Sequence, residues 1–417
     1  MDILEDKLVG ACIFGQSGGP TAVINASAYG VIRTALQSEN ITEVYAAANG
    51  IVGVLEDKLY DMGQEDPYEL SLLLNTPSSE LGSCRYKMKD PEEDDTDYKR
   101  ILEVFKKHNV RYFFYNGGND SMDTCNKVSR YMESVGYDCR VMGVPKTIDN
   151  DLYGTDHCPG FGSAARYIAT SCMEITKDTN VYDIPMITIV ETMGRHAGWL
   201  AGSAALATDA GCGPDLIYLP EVDFDMDQFF ADVEKVYNEK GKVLVVVSEG
   251  IHYADGRFVS EAKTSATDGF GHAQLGGLAS LLANLVKERF GVKVRGIELS
   301  LLQRCASHQA SEMDIQEAFH VGKMAVLEST IGQTGQMVAL NRKFDENGKY
   351  VLSTTLFPLS KVANYENKVP LEWINEEKNF VTQEFIDYAK PLIQGDPKIV
   401  YEGSLPRFAR LKKILVE

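Results

Sequence analysis

Short apolar segments alternate with helical segments along most of the chain, and this alternation limits the fold more than any other feature. The segments have the length and composition of buried strands, and they include residues 9–14, 110–115, 139–144, 186–190 and 243–247. Alternating strands and helices form mainly parallel sheets whose faces are covered by helices. A chain of 417 residues is long enough for two domains with ample cores. The sequence therefore predicts an α/β fold with two doubly wound, Rossmann-like domains.

Composition excludes several classes of partner. Asp and Glu outnumber Lys and Arg by 60 to 41, and the net charge is −19, so we expect neither nucleic acid nor a membrane surface as a partner. No apolar run reaches the length of a membrane span, and the first residues do not resemble a signal peptide. The eight cysteines are scattered without a Cys-x-x-Cys pair, which favours free thiols over disulfides or structural zinc. We therefore expect a cytoplasmic protein.

Two of the apolar segments end in glycine-rich polar turns. Residues 15–21 read Gly-Gln-Ser-Gly-Gly-Pro-Thr, and residues 116–121 read Asn-Gly-Gly-Asn-Asp-Ser. The first turn is not a Walker A loop, but a glycine-rich turn before a helix can hold phosphate with backbone N–H groups. The alternative is a tight connection without a ligand. In the second turn, Asn119 and Asp120 either cap the following helix or face a metal-bound phosphate.

A third turn carries the densest set of chemical groups. It spans residues 145–151 after a predicted strand, and it contains Lys146, Thr147, Asp149 and Asp151. An extended two-residue spacing would send both carboxylates to the same side. Open α/β sheets bind ligands at the carboxyl ends of their strands, and phosphoryl transfer requires a base, a cation and metal-binding acids. The alternative is a capped turn in which Asp and Asn side chains accept from backbone donors, and these residues alone leave both interpretations open.

The later part of the chain continues the α/β pattern with less chemical detail. Residues 272–290 predict a helix, and residues 295–302 predict a strand. Asn347 and Gly348 predict the turn of a hairpin. The segment after about residue 330 shows no chemical motif.

Taken together, the turns resemble those of the phosphofructokinase family. Six separated motifs agree in order and rough spacing, namely residues 17–19, 117–121, 145–151, 193–195, Glu249 and residues 303–304. The resemblance covers about residues 9–330 and implies two α/β domains with the active site in the cleft between them. It also implies an oligomer, either a homodimer or a homotetramer, that shares sites across a subunit interface. The implied division is residues 1–160 plus about 303–350 for donor binding, residues 161–302 for fructose 6-phosphate binding, and about 351–417 as a C-terminal extension packed on the core.

Two positions resemble the pyrophosphate-dependent branch of the family. Members that use ATP have glycine where this chain has Asp120 and Lys146. An acid in place of glycine adds bulk and negative charge where a nucleotide α-phosphate would lie. A lysine beside the reacting phosphates stabilises the charge that develops on the leaving phosphate. The resemblance therefore implies a reversible, Mg²⁺-dependent transfer from pyrophosphate to the 1-hydroxyl of fructose 6-phosphate, giving fructose 1,6-bisphosphate and phosphate.

The resemblance also implies roles for individual residues. Asp149 would be the general base, Lys146 would stabilise the transition state, and Asp120 and Thr147 would be further catalytic residues. Mg²⁺ would be held by Asn119, Asp120 and Asp151. The substrate-binding residues would be Gly19 and Arg85 on the donor side, Met193, Gly194, Arg195, Glu249, Arg295 and Arg304 around fructose 6-phosphate, and Thr147, Ile148, Asp149 and Asp151 elsewhere in the site.

Some positions depart from the family pattern. Asn119 stands where a metal-binding aspartate is common, and an amide oxygen can ligate Mg²⁺ but brings no charge. Leu301 aligns with a histidine that contacts fructose 6-phosphate, and Met186 aligns with an arginine lent across the interface. Three alternatives stay open: ATP as the donor, sedoheptulose 7-phosphate as the acceptor, and a non-catalytic sugar-phosphate sensor. Asp120 and Lys146 disfavour ATP, and a sensor has no need of a base.

Overall fold

The structure is a computed structural model, and it describes residues 8–260, 275–362 and 365–417. The strands in chain order are β1 (Gly10–Gln16), β2 (Ile41–Ala47), β3 (Leu59–Asp61), β4 (Val110–Gly117), β5 (Arg140–Pro145), β6 (Met186–Thr192), β7 (Leu216–Tyr218), β8 (Lys242–Ser248), β9 (Lys293–Glu298), β10 (Gln336–Leu340), β11 (Lys343–Phe344), β12 (Tyr350–Val351), β13 (Thr354–Pro358), β14 (Tyr401–Glu402) and β15 (Leu405–Pro406). The α-helices are α1 (Ile24–Leu36), α2 (Ile51–Leu55), α3 (Pro67–Leu72), α4 (Thr96–Lys107), α5 (Asn119–Ser134), α6 (Phe161–Asn180), α7 (Trp199–Ser203), α8 (Met226–Lys240), α9 (Leu278–Phe290), α10 (Leu302–Cys305), α11 (Glu312–Thr330) and α12 (Gln383–Ala389).

The larger sheet brings the three chemically rich turns to one edge. Its strand order is β13-β10-β5-β4-β1-β2-β3. The five central strands run parallel, whereas β3 and β13 pair antiparallel at the two ends of the sheet. β1, β4 and β5 are almost completely buried, as expected for strands that helices cover on both faces. The turns that follow these three adjacent strands therefore lie side by side.

The smaller sheet is entirely parallel. Its strand order is β7-β8-β6-β9. β6 is fully buried and leads into the segment that begins at Met193, while β8 leads directly to Glu249. β9 lies at the open end of this sheet, and its residues are partly or fully exposed. Together with the larger sheet, this arrangement confirms the predicted α/β fold class.

Two glycines let α1 and α11 pack closely on the larger sheet. A Cβ atom at Gly30 would lie 2.1 Å from the carbonyl oxygen of Phe319, and one at Gly322 would lie 2.2 Å from that of Ser27. No side chain fits at either position without moving a backbone. The close contact ties α11, which follows the smaller sheet in the chain, to the first helix of the larger one.

The C-terminal part of the chain packs into the core. Val369, Phe385 and Tyr388 belong to the same buried apolar cluster as Phe161 and Trp199. The final residues then run beside β3, where the N–H of Asp61 donates to Ile414 and the N–H of Val416 donates to Leu59. The segment is therefore anchored at several separate points. In the described part of the chain, none of the helices is both long enough and apolar enough to cross a membrane.

Three predictions about the later elements have different outcomes. The hairpin predicted at Asn347 and Gly348 is confirmed by the pairing of β11 with β12. A strand was predicted over residues 295–302, and the prediction of its end was wrong. β9 stops at Glu298, and Ser300 has a left-handed φ of 43°. The helix predicted from residue 272 begins at Leu278 within the described residues, and residues 272–274 lie outside them.

Candidate active site

The strand-end turns of the two sheets surround one cleft of about 1070 Å³. One wall comes from the turns after β1, β4 and β5, and the facing wall comes from the segments after β6, β8 and β9. A third part of the cleft lining, Tyr365, Glu366 and Lys368, comes from the C-terminal segment. The predicted site residues that line this cleft are Gly19, Arg85, Asn119, Asp120, Lys146, Thr147, Ile148, Asp149, Asp151, Met193, Arg195, Glu249 and Arg304.

Three cations converge on the turn after β1. The ammonium group of Lys146 donates a 2.6 Å hydrogen bond to the carbonyl oxygen of Gly19. A Cβ atom placed on Gly19 would lie 3.0 Å from a guanidinium nitrogen of Arg304 and 3.9 Å from one of Arg85. Because Gly19 has no side chain, both guanidinium groups reach the backbone of this turn. This end of the cleft is therefore suited to a highly charged anion such as a polyphosphate.

The backbone of the same turn differs from the predicted phosphate cradle. The N–H of Gly18 donates to the carbonyl oxygen of Cys84 at 3.0 Å. α1 begins only at Ile24, several residues beyond the lining of the cleft. The N–H of Gly18 is thus used within the fold, and the cationic side chains supply the positive charge here.

The turn that bears the two aspartates is not extended, so the predicted extended spacing was wrong. Asn150 lies between them with a φ of +57°, a left-handed conformation that asparagine tolerates better than most residues. Its side chain accepts from the N–H of Cys158 and donates to the hydroxyl of Tyr388, both at 2.8 Å. Asp149 and Asp151 still both line the cleft. The buried amide of Asn150 therefore provides the structural bonding of this turn and leaves its neighbours facing the cavity.

The carboxyl groups of the cleft have raised pKa values. Burial raises the pKa of Asp149, against the opposing charges of Lys146 and two arginines. Burial, followed by the charges of Asp149 and Glu366, raises the pKa of Asp151 to about 7. Burial and then Asp149 raise the pKa of Glu249 to about 7. Cations surround Asp149 while acids surround Asp151, so Asp149 is the member of the pair whose ionised form the neighbours favour.

The pKa values of two cations in the cleft, Lys146 and Arg304, are lowered. Lys146 is only 3% exposed, and burial lowers its pKa to about 8 although Asp149 acts against that change. Burial, followed by the charge of Arg85, lowers the pKa of Arg304. Crowded, poorly hydrated cations of this kind gain stability when an anion binds between them.

The first residues of α5 offer a sparse site for a metal ion. Neither Asn119 nor Asp120 caps the helix, which has no side-chain cap hydrogen bond. The amide nitrogen of Asn119 lies 3.3 Å from a carboxylate oxygen of Asp151, and its buried amide oxygen has no hydrogen-bond partner. Within the described ranges, no three His, Cys, Asp or Glu side chains could hold a metal among themselves. Mg²⁺ keeps several waters and needs only one or two carboxylates beside substrate phosphates, so these residues fit that ion.

The facing wall is shaped by backbone contacts between two segments. The N–H of Met193 donates to the side-chain oxygen of Gln303 at 3.1 Å, and the N–H of Gly194 donates to Glu249 at 3.4 Å. Gly194 has a φ of +122°, and a Cβ atom there would lie 2.6 Å from the carbonyl oxygen of Ala197. Gly194 itself does not line the cleft, but its conformation places Met193 and Arg195 on the wall.

A family model described as phosphofructokinase matches residues 12–326. The chain belongs to the phosphofructokinase family. A relative from Halomonas elongata named pyrophosphate–fructose 6-phosphate 1-phosphotransferase is 45% identical over 408 residues, covering 97% of this chain and 96% of the relative. A relative of the same name from Methylococcus capsulatus is 46% identical over 407 residues, with the same coverage. A crystal structure of pyrophosphate-dependent phosphofructokinase from Nitrosospira multiformis has a TM-score of 0.89 and 40% identity, covering 98% of each chain.

One residue implied by the phosphofructokinase resemblance lies away from the cleft. Arg295 is paired with Asp178 at 2.9 Å and is not among the cleft-lining residues. It lies in the middle of the edge strand β9 rather than at its carboxyl end, and the described cavity lining includes Leu301 and Arg304, which follow that strand, but no residue of the strand itself. Within one phosphofructokinase chain, therefore, Arg295 does not join the other predicted sugar-binding residues, and its role stays a prediction. Met186 is fully buried at the start of β6 and presents nothing to a neighbouring subunit.

The sequence patterns missed part of this phosphofructokinase cleft. Tyr365, Glu366 and Lys368 line it from the C-terminal segment, and a β-bridge between Leu152 and Glu366 holds that segment beside the aspartate turn. The site residues were predicted from polar turns at the ends of strands. These three residues follow no predicted strand and no glycine-rich turn, so their position could not be predicted from the sequence. The other lining residues, to which the sequence assigned no role, are Gly18, Pro20, Gly118, Ser121, His196, Ala197 and Leu275, and Leu301, which replaces the family's histidine, lines the cleft as well.

Proposed function

We propose that this protein is a pyrophosphate-dependent 6-phosphofructokinase. The bond between the bridging oxygen and the terminal phosphorus of pyrophosphate breaks, and that phosphorus bonds to the 1-hydroxyl oxygen of fructose 6-phosphate. The hydroxyl proton passes to Asp149, and phosphate leaves. The products are fructose 1,6-bisphosphate and phosphate. Relatives that match almost the whole chain carry the name of this activity, which supports the assignment.

The observation that carries the donor assignment is the position of Lys146. Its ammonium group lies on the carbonyl oxygen of Gly19, in the same cleft as Asp149 and beside the guanidinium groups of Arg85 and Arg304. Pyrophosphate has no nucleoside to contribute binding energy, so its affinity must come from charge contacts. Three converging cations supply those contacts, and Lys146 also stabilises charge on the leaving phosphate.

Asp149 is suited to act as the general base. Its neighbouring cations favour the ionised carboxylate, whereas the charges of Asp149 and Glu366 add to burial in raising the pKa of Asp151 to about 7. A base must be ionised before it can accept the hydroxyl proton. Thr147 accepts a 3.1 Å hydrogen bond from the N–H of Asp149 and thereby supports the geometry of the base.

Asn119, Asp120 and Asp151 would hold Mg²⁺, with the ion's remaining positions left for water and phosphate oxygens. When bound, the ion would neutralise charge on the transferring and leaving phosphoryl groups. Asp120 also contributes negative charge and bulk at the start of α5, which disfavours a nucleotide in the donor site. Asn119 brings an oxygen without charge, so the acids carry the electrostatic part of the binding.

Fructose 6-phosphate would bind on the facing wall. Arg195 would bind its phosphate, and Met193 and Glu249 would contact the sugar, with Ile148 completing the surface between the two substrates. The family resemblance assigns Arg304 to fructose 6-phosphate as well, but we propose it as a donor contact because it reaches the turn at Gly19. We propose that the larger sheet with its helices binds the donor and that the smaller sheet binds the acceptor. A homodimer or homotetramer would bring a second chain toward Arg295, and the eight free thiols are compatible with a reducing cytoplasm.

A donor comparison tests the proposal. Purified protein, Mg²⁺ and fructose 6-phosphate would be incubated with pyrophosphate or with ATP, and fructose 1,6-bisphosphate would be measured. We expect turnover with pyrophosphate, and we expect phosphate plus fructose 1,6-bisphosphate to regenerate pyrophosphate. Turnover with ATP alone would refute the donor assignment while leaving the acceptor intact.

Two other functions are distinguishable in the same assay. Sedoheptulose 7-phosphate would be supplied as the acceptor, because the same arginines could hold its phosphate. A sugar-phosphate sensor would bind fructose 6-phosphate in calorimetry but would turn over neither donor. The carboxyl group of Asp149, flanked by cations in the cleft, favours an enzyme over a sensor.

A further inference from the structure

We propose that Asn367 is a positioning residue that holds the aspartate-bearing turn against the acceptor wall. The inference rests on the proposed phosphoryl transfer, and it assigns a role to the C-terminal strap, which we define as residues 366–369. The strap comes from a part of the chain in which no chemical motif was recognised. Its contacts nevertheless reach both walls of the cleft.

Asn367 bonds to two consecutive carbonyl groups of the turn. Its backbone N–H donates to the carbonyl oxygen of Asp151 at 2.8 Å, and its side-chain amide donates to that of Asn150 at 3.4 Å. The adjacent bridge between Leu152 and Glu366 extends this pairing. The backbone of Asn150, the left-handed residue between the two aspartates, is thus bonded to the strap, while its side chain bonds to Cys158 and Tyr388.

The same residue also bonds to the acceptor wall. The indole N–H of Trp199 donates to the carbonyl oxygen of Asn367 at 2.8 Å, and Trp199 begins the short helix that ends the segment of Met193 and Arg195. A second link lies two residues on, where one carboxylate oxygen of Glu221 accepts from the N–H groups of Val369 and Gly198. The strap therefore connects the two walls through hydrogen bonds at Asn367 and Val369.

These links matter because the reaction joins groups from opposite walls. Asp149 comes from the larger sheet, while the acceptor-binding side chains come from segments of the smaller sheet. Displacement of a base by about 1 Å can lower a rate by about 100-fold. An interaction that fixes the spacing of the walls acts on the rate of transfer more than on the affinity for either substrate.

The first test is Asn367→Ala, which removes the side-chain donor and keeps both backbone contacts. We expect kcat with pyrophosphate to fall by about threefold to tenfold, because the variant loses one hydrogen bond to the turn and keeps the backbone links to both walls. We expect the dissociation constant for fructose 6-phosphate, measured by calorimetry, to change by less than about threefold. The matched control is Asn375→Ala, because Asn375 lies in the same C-terminal region and its side chain, among the residues that the structure describes, bonds within its own turn at Glu377, Asn379 and Phe380.

A second variant tests the coupling between the walls. Trp199→Phe removes the donor to Asn367, and we expect the double variant with Asn367→Ala to lose less activity than the product of the two single losses. Wild-type kcat in Asn367→Ala, an equal loss in Asn375→Ala, or independent losses in the double variant would overturn the inference. An inactive wild-type protein would overturn the proposed function and this inference together, whereas an active wild type with an unaffected Asn367→Ala would overturn this inference alone.

Discussion

The ammonium nitrogen of Lys146 lies 2.6 Å from the carbonyl oxygen of Gly19, although 127 residues separate the two in the chain. This bond joins the turn after β5 to the turn after β1 and places a buried cation between them. The lysine is held by a neutral carbonyl rather than neutralised by a bonded carboxylate. Its charge is therefore available to a phosphate, and its low pKa makes that charge sensitive to pH.

The pH dependence of catalysis should show the loss of the proton from Lys146. Its pKa of about 8 means that the side chain is charged below that pH and loses its proton above it. We expect kcat/KM with pyrophosphate to fall above about pH 8 in the wild type. In Lys146→Arg this alkaline limb should shift to higher pH, since arginine stays charged, while the rate at neutral pH falls. Lys127→Arg, at an ion-paired position on α5, is the control, and an unchanged limb in Lys146→Arg would contradict the assignment.

Replacement of the proposed base should separate chemistry from binding. For Asp149→Ser we expect kcat to fall by about 10²- to 10⁴-fold, because the 1-hydroxyl loses its proton acceptor. Calorimetry should still detect binding of fructose 6-phosphate. Asp387→Ser, at an exposed position on α12, should keep wild-type activity. A variant at Asp149 with undiminished turnover would rule this residue out as the base.

Donor choice should depend on Asp120. Replacing the acid with glycine removes negative charge and bulk at the start of α5, so we expect the ratio of ATP to pyrophosphate turnover to rise by about tenfold or more. The control is Asp123→Gly, which makes the same chemical change at a position on α5 that is paired with Lys127. That control should lose less than about 1 kcal/mol of stability, from helix propensity and the lost ion pair, without a change of donor. A donor ratio that stays the same in Asp120→Gly would place the donor preference elsewhere.

Removing the charge of Glu366 should shift the acid side of the pH profile of kcat/KM. Glu366 contributes to the raised pKa of both Asp149 and Asp151. In Glu366→Gln both carboxyl groups should lose their protons at lower pH, so the rise of kcat/KM on the acid side should move to lower pH. Glu372→Gln, at an exposed residue outside the cleft lining, should leave the profile in place. A shift to higher pH would contradict the proposed interaction.

A buried histidine should make stability depend on pH. His157 lies between Asp156 and Glu317, at 2.8 and 2.9 Å. Burial alone would lower its pKa, but Glu317 and Asp156 outweigh burial and raise the pKa to about 9. Its stabilising contribution is complete below the unfolded pKa of about 6.5 and is lost as pH rises through about 9.

That contribution is of the order of 3 kcal/mol, and urea unfolding can measure it. The difference in free energy of unfolding between wild type and His157→Gln should shrink by about this amount between pH 6.5 and 9. His108→Gln is the comparison, because His108 contacts the single acid Asp57. A difference that stays constant over this pH range would show that His157 does not titrate there.

Much of the site could be predicted because its signals are local. Apolar strands that end in polar turns predict both the parallel sheets and the edge at which ligands bind, and Gly19, Asp120, Lys146 and Asp149 all lie in or beside such turns. The family motifs then add the residues of the facing wall. Local patterns of this kind follow from hydrogen bonding and burial within a few residues of chain, so they are visible without a structure.

Other features depend on contacts between distant parts of the chain, and they became visible when the chain was seen folded. Asn150 adopts a left-handed conformation because Cys158 and Tyr388 bind its side chain, and Asn367 reaches its carbonyl group across 217 residues of sequence. Arg295 is a residue type that can bind a sugar phosphate, but it lies in the middle of an edge strand and pairs with Asp178. The α/β elements and the chemical groups at their ends could be predicted from the sequence. The tertiary structure decided which of those groups share the cleft, because their spacing depends on packing between segments far apart in the chain.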